Sequence, residues 1–236
     1  MTIKKEGVRR VISPLDSNAL EEGLRLKETY GGKVIVVSMG SHAALDNLRE
    51  SLAIGADELV FLCDPAFARA DTLVTARVLA AAIRRLGRFD LVLTGAYSFA
   101  GGTAQVGPEI AEILGIPHIT RDSAIEVRDG NKVRARTNLE DAYLTLEAEL
   151  PALVTVFKEI NTPRGISLLG IVAAQSKPLV EWTARDLDLS PEELVSPTVI
   201  TRVLAPEVKR HQEMLAGSPD DAVKTLVQNL RQGGAL

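Results

Sequence analysis

The sequence predicts an α/β fold: a doubly wound parallel sheet with an added β-hairpin and an extended C-terminal arm that ends in a helix. Three observations predict it. Short apolar runs rich in Val, Ile and Leu, "KVIVVSMG", "ELVFL" and "DLVLT", recur in the first half of the chain, as expected of parallel strands buried on both faces. Between them lie segments with leucines at helical spacing and short connections, which requires right-handed crossovers and helices on both faces of the sheet. Beyond Pro117 the pattern changes to extended runs flanking Asp129-Gly130, a strong hairpin signal.

The elements follow in order. A first helix is expected over 18–30, with Leu20 and Leu24 in register and Gly31-Gly32 after it. The first strand is 33–40. The helix over 41–54 carries Leu45, Leu48 and Leu52 on one face and stops at Gly55. "ELVFL" is the second strand, followed by a helix over 72–86, capped by Asp71 and ended by Gly87. "DLVLT" is the third strand, and its continuation "TGAYSFAGGTAQVGPEIAEILG" enters an amphipathic helix at Gln105 or Val106. "AIEVRDGNKVRART" forms the hairpin, and "AYLTLEAELPALVTVF" stays extended. From about Ile160 periodicity is lost, and Pro163, Pro178, Pro191, Pro197 and Pro206 punctuate a segment that reads as a linker or an arm lying on another body. The last helix is signalled by Ser218 as cap, Pro219 at its first position and Asp220 and Asp221 in its first turn. Its apolar face is Val223, Leu226, Val227 and Leu230. The expected division is an α/β domain over 1–181 and a C-terminal arm over 182–236.

Charge and composition narrow the function classes. A net charge of -4 over 236 residues gives no broad basic field, and local clusters such as Arg84-Arg85 and Lys209-Arg210-His211 do not make a nucleic-acid surface. The single Cys63 cannot form an internal disulfide, and no apolar run is long enough to cross a membrane or act as a secretion signal. A cytoplasmic protein without membrane insertion is expected. His42, His118 and His211 form no metal or catalytic set. Cys63 reads as a small core residue, and Glu21-Glu22 and Glu192-Glu193 read as solvated helix faces or caps. A binding or carrier role is therefore favoured over hydrolysis. A nucleotide-hydrolysing or adenylating enzyme would need an acidic metal site or a basic clamp at the glycine-rich loop, and residues 96–102 carry no charge.

Ligands of open parallel sheets sit beyond the carboxyl ends of the strands. Three segments meet there: "SPLDS" over 13–17, "SMGS" over 38–41 and the glycine-rich stretch after "DLVLT". Backbone N–H groups at a helix start attract phosphate, Gly101 and Gly102 permit close approach, and Thr103 and Gln105 add donors. The spacing is neither a dinucleotide fingerprint nor a Walker loop. The residues alone leave a phosphate cradle and a plain strand-to-helix turn both open.

The blocks "SPLDSNALEEGLRLKE", "GGKVIVVSMG", "LRESLAIGADELVFLCD", "FARADTLVTARVLAAAI", "AQVGPEIAEILGIP", "LPALVTVFKEINTPRGISLLGI" and "VEWTARDLDL", in this order, resemble the β subunit of electron transfer flavoprotein over nearly the whole chain. The resemblance implies a Rossmann-like, adenine-nucleotide-binding carrier subunit without catalytic residues. Its partner would be an α subunit that holds the redox FAD. It implies AMP in a structural role in the β subunit or, in an electron-bifurcating branch, a second FAD that oxidises NADH. Matching positions are Ser13, Pro14, Leu15, Asp16, Met39, Gly95, Gly101, Gly102, Thr103, Ala104, Gln105 and Val106. The resemblance also assigns "NTPRGISLLGIVAA" to docking of an acyl-CoA dehydrogenase-type flavoenzyme, through Arg164, Leu168 and Leu169, with a quinone oxidoreductase or another acceptor downstream.

Three departures accompany it. Relatives usually begin with a central strand and loop of the kind "VxVKQVPD" ahead of the region matching Gly7, so either the start is misassigned or the sheet lacks that strand. Relatives often read I-D-G-D-T where this chain has Phe99-Ala100-Gly101-Gly102-Thr103, and Gly where it has Ala142. A pocket that has lost its nucleotide, leaving a scaffold for the α subunit, is the alternative these departures raise.

Overall fold

The computed structural model describes residues 11–99, 101–139, 141–199, 201–202, 204 and 212–235. The region matching Gly7, together with Ala100, Pro206 and the Lys209-Arg210-His211 cluster, lies outside them. The chain divides into two compact units, Lys5–Val199 and a smaller one containing Ile200–Leu236.

In the large unit the order is α1 (Pro14–Tyr30), β1 (Ile35–Met39), α2 (Leu45–Ile54), β2 (Glu58–Leu62), α3 (Thr72–Leu86), β3 (Leu91–Gly95) and α4 (Val106–Leu114). Then come β4 (His118–Arg128), β5 (Lys132–Asn138), β6 (Tyr143–Glu149), β7 (Ala152–Val156), α5 (Leu168–Ala174) and β8 (Leu179–Trp182). The small unit contains α6 (Pro219–Gln232), on which Val223, Leu226 and Leu230 are exposed.

The alternation of strand and helix is as the sequence predicts, and so is the hairpin, with Asp129 and Gly130 both at positive φ in its turn. Four findings differ from the expectation. The parallel strands fall into two sheets, of order β1-β2-β8 and β3-β7-β4-β5-β6; among the described residues no strand pairs with the outer edge of β1 or of β3. Helix α1 starts four residues early: Ser13 is its N-cap and Pro14 its first residue. "SPLDS" is therefore the start of the helix and not the segment ahead of it. The region after Ile160 holds a short helix and a strand, α5 and β8, and β8 extends the first sheet in parallel with β2. Residues beyond it are also packed, with Leu187 buried beside Val60, Leu62 and Val78, and Leu189 and Leu194 against the same cluster. The large unit thus runs past residue 181, as far as Val199.

The second sheet positions the site. β7 arrives late in the chain but inserts between β3 and β4, parallel to both, and all five of its residues are buried. Helix α1 covers this sheet through Ala19, beside Val154 and Val156; α3 and α4 cover the other side through Ala76, Ala80, Ile110 and Ala111 with Leu153. Fully burying the larger of these side chains, Val154, Val156, Ile110 and Leu153, stabilises by roughly 1.5–3 kcal/mol each.

Candidate functional site

The site lies at the carboxyl ends of β3 and β7, where α1 and α4 begin. Its tightest point is Gly95. The Gly95 N–H donates to Asp16 Oδ1 at 2.9 Å, and a Cβ on Gly95 would stand 2.8 Å from Leu15 Cβ, 2.9 Å from Asp16 Oδ1 and 3.0 Å from Asp16 N. Only glycine lets the first turn of α1 rest on the end of β3. As a residue Asp16 is solvent-exposed, yet its carboxyl sits among protein atoms; that desolvation raises its pKa, and the Gly95 N–H opposes the rise. A second close approach fixes α4: a Cβ on Gly107 would lie 2.7 Å from Thr155 Cγ2 and 3.1 Å from Thr94 Oγ1. The sequence reading passed over Gly107, although a glycine in the first turn of a helix, followed by Pro108, is a signal of close packing.

The helix starts here lack side-chain caps. Ser13 of α1 and Gln105 of α4 make no capping hydrogen bond, and α2 begins after Ala44, which has no polar side chain. By contrast Asp71, Ser167 and Ser218 cap α3, α5 and α6. Ser13 Oγ is shielded from solvent beside the Asp16 carboxyl, whose raised pKa the Ser13 hydroxyl opposes. First-turn N–H groups left without a cap, under a positive helix end, suit an anion. This donor set, with no charged residue in 96–106, fits the phosphate and ribose of a nucleotide.

The predicted residues divide between the two sheets. Ser13, Pro14, Leu15, Asp16 and Gly95 are brought together, and α4, with Gln105 at its N-cap and Val106 as its first residue, sets its first turn against Thr94 through Gly107. Gly101, Gly102, Thr103, Ala104 and Gln105 are exposed. The N–H groups of Gly101 and Gly102 are used internally, donating to Ser98 Oγ at 3.0 Å and Ser98 O at 2.8 Å; these glycines shape the turn, and Gly102 and Ala104 both have positive φ. Met39 ends β1 in the other sheet and packs with the cluster around Val60, Leu62 and Val74. Tyr97 bridges Phe99 and Phe157, each ring pair 5.8 Å apart.

The segment expected to dock a partner is built differently from the cradle. Leu168 and Leu169 on α5 are each 84% exposed, so they do not belong to the core. Gly170 sets α5 on α2, because a Cβ there would fall 2.1 Å from the Ala53 carbonyl oxygen. Lys177 Nζ donates to the carbonyls of Leu52 and Ala56 at 2.9 and 2.7 Å. Arg164 turns back to α1. Glu21 and Glu22, read from the sequence as a solvated pair, are 5% and 7% exposed, because Arg164 and Asn161, distant in sequence, cover them. Cys63 is only half-buried, at the end of β2.

No helix among the described residues is long and apolar enough to cross a membrane, and among them no cluster of His, Cys, Asp or Glu could hold a metal ion. Comparison with known proteins agrees with the geometry. The pattern of the electron transfer flavoprotein domain matches residues 1–187. The electron transfer flavoprotein subunit beta of Clostridium acetobutylicum is 43% identical over 234 residues, covering 98% of this chain and 90% of that protein. The caffeyl-CoA reductase-Etf complex subunit CarD of Acetobacterium woodii is 41% identical over 98% of this chain and 90% of its own length. The acryloyl-CoA reductase electron transfer subunit gamma of Anaerotignum propionicum is 35% identical, with 98% and 90% covered. The domain match over residues 1–187, joined to relatives that match nearly end to end, places the chain in the electron transfer flavoprotein β-subunit family.

Proposed function

We propose that the chain is the β subunit of a heterodimeric, cytoplasmic electron transfer flavoprotein that carries AMP in a structural role. In this reading the α subunit holds the redox FAD, which accepts and releases the electrons. A flavoenzyme of the acyl-CoA dehydrogenase type exchanges electrons with it, and a quinone oxidoreductase or another acceptor stands at the far side. The observation that carries the reading is a pair of helix starts without side-chain caps at the carboxyl end of β3, α1 against Gly95 and α4 against Thr94. Ser13, Gly95, Gln105 and Val106 would hold the nucleotide, with Asp16 keeping the α1 start in place. The exposed Leu168 and Leu169 would dock the dehydrogenase as a small apolar hot spot.

The names of two relatives favour a second reading. One is a subunit of a caffeyl-CoA reductase-Etf complex and the other an electron transfer subunit of acryloyl-CoA reductase. A partner that reduces a CoA thioester suits the bifurcating alternative, with a second FAD in the β subunit and NADH as donor. The test is the nucleotide released on denaturing the co-purified αβ dimer. One AMP and one FAD support the first reading, two FAD the second, and one FAD alone a nucleotide-free scaffold.

A further inference from the structure

We propose that Arg164 is a positioning residue, which fixes the exposed Leu168-Leu169 pair by locking the preceding segment to α1, and does not itself touch the redox partner. The inference rests on the docking reading above and assigns the means by which that surface is held. The Arg164 guanidinium makes four hydrogen bonds inside the chain, from Nε, Nη1 and both N–H groups of Nη2. Its Nε donates to Glu21 Oε2 at 2.8 Å and its Nη2 to Glu21 Oε1 at 3.0 Å, a fork on a buried carboxylate. Nη1 donates to Glu28 Oε1 at 2.6 Å, and the Arg164 backbone N–H reaches Glu21 Oε2 at 3.1 Å. Glu21 and Glu28 lie seven residues apart, two turns along one face of α1, so the planar guanidinium spans the helix like a brace.

A second lock lies three residues upstream. Asn18 Nδ2 donates to Asn161 O and Oδ1, both at 2.9 Å, and Asn161 Nδ2 donates to Asn18 O and Glu22 Oε2, both at 3.0 Å. Residues 161 and 164 are thus pinned just before Ser167 caps α5. On its far side α5 is tied to α2 through Lys177. Between these ties, α5 has only seven residues, too few to be stable alone. Its outward leucines are each 84% exposed, so their direction is inherited from the ties and from the seat of Gly170 on α2. Ordering them before encounter removes part of the entropic cost of binding. A lysine cannot replace the brace, because an ammonium lacks the two-sided fork.

The test uses the αβ dimer and a cognate flavoenzyme dehydrogenase, with electron transfer measured against dimer concentration. Arg164→Met should raise KM for the dimer about tenfold, equivalent to about 1.4 kcal/mol, leave kcat at saturation and bound nucleotide within about twofold, and speed amide hydrogen exchange over 162–171. Arg164→Lys should recover KM only in part. Arg164→Met strands the Glu21 carboxylate and lowers Tm, so Glu21→Gln with Arg164→Met supplies the control. The double variant should regain Tm while KM stays high, which a purely structural role would not produce. KM returning with Tm, or never rising in a folded Arg164→Met dimer, overturns the proposal. The Leu168→Ala dimer separates the two readings: if it raises KM and Arg164→Met does not, the brace alone fails. If Leu168→Ala leaves KM unchanged, the docking surface falls and the brace with it.

Discussion

Gly95 and Asp16, 79 residues apart in sequence, meet through one hydrogen bond of 2.9 Å, and the contact leaves no room for a side chain on Gly95. Gly95→Ala should push the start of α1 away from β3. Overpacking of this kind costs about 1–3 kcal/mol. The expected outcome is a lower thermal midpoint together with loss of nucleotide from the purified dimer. Gly101→Ala should retain nucleotide better, since a Cβ there meets only Ser98 Oγ, at 3.2 Å. Equal retention by the two variants would move the cradle away from the α1 start.

Asp122 is fully buried within β4, at the irregularity where its pairing register shifts, with Oδ2 lacking a partner and burial pushing its pKa up to about 6. The Thr137 hydroxyl stands 2.8 Å from Asp122 Oδ1 and 3.0 Å from Thr120 O. It has one proton for two acceptors. Protonated Asp122 resolves the conflict by donating to Thr137, which then donates to Thr120. A carboxyl with a raised folded pKa adds stability that is complete below its unfolded pKa, the ordinary 3.8, and is lost as pH climbs through about 6. A shift of this size corresponds to on the order of 2–3 kcal/mol. Asp122→Asn should flatten the fall in denaturant stability between about pH 4.5 and pH 7; an unchanged slope would assign the carboxylate no such role.

Leu168→Ala should slow electron exchange with the dehydrogenase and leave thermal stability nearly unchanged, because the side chain is 84% exposed. A buried leucine would cost about 2–5 kcal/mol on the same change. A marked drop in Tm would show that Leu168 supports the fold.

Truncation after Val199 removes most of the small unit, including α6, and should leave a folded large unit that no longer copurifies with the α subunit. Truncation after Val180 is expected to do something different. It divides β8 and removes Leu187, 7% exposed, so the product should lose cooperative unfolding as well. If the Val199 product binds the α subunit at full affinity, the arm assignment is wrong.

Most of the first half of this fold is legible because its signals are local. Asp71 caps α3, Gly55 and Gly87 end helices, and Asp129-Gly130 turns the hairpin. The start of α1 is also written locally, in Pro14 at its first position and Asp16 in its first turn. What escaped reading depends on distant partners. β8 has four residues and becomes a strand by pairing with β2. α5 leaves its leucines outside, so no buried face marks it as a helix. Glu21 is buried only because Arg164 crosses 143 positions to reach it. In the site, the glycines that seem most permissive, Gly101 and Gly102, are open, while Gly95 and Gly107 are the crowded ones; crowding is a property of two elements together and cannot be read from either.

The late entry of β7 between β3 and β4 bears on how the molecule is made. Until Val156 has left the ribosome, β3 lacks β7, its parallel neighbour among the described residues. Sheet closure therefore waits on a contact about 60 residues long, the kind of non-local pairing that slows folding. Nascent chains paused before Ala152 should stay open to protease at residues 95–106, and the cradle should become protected in one step once β7 emerges.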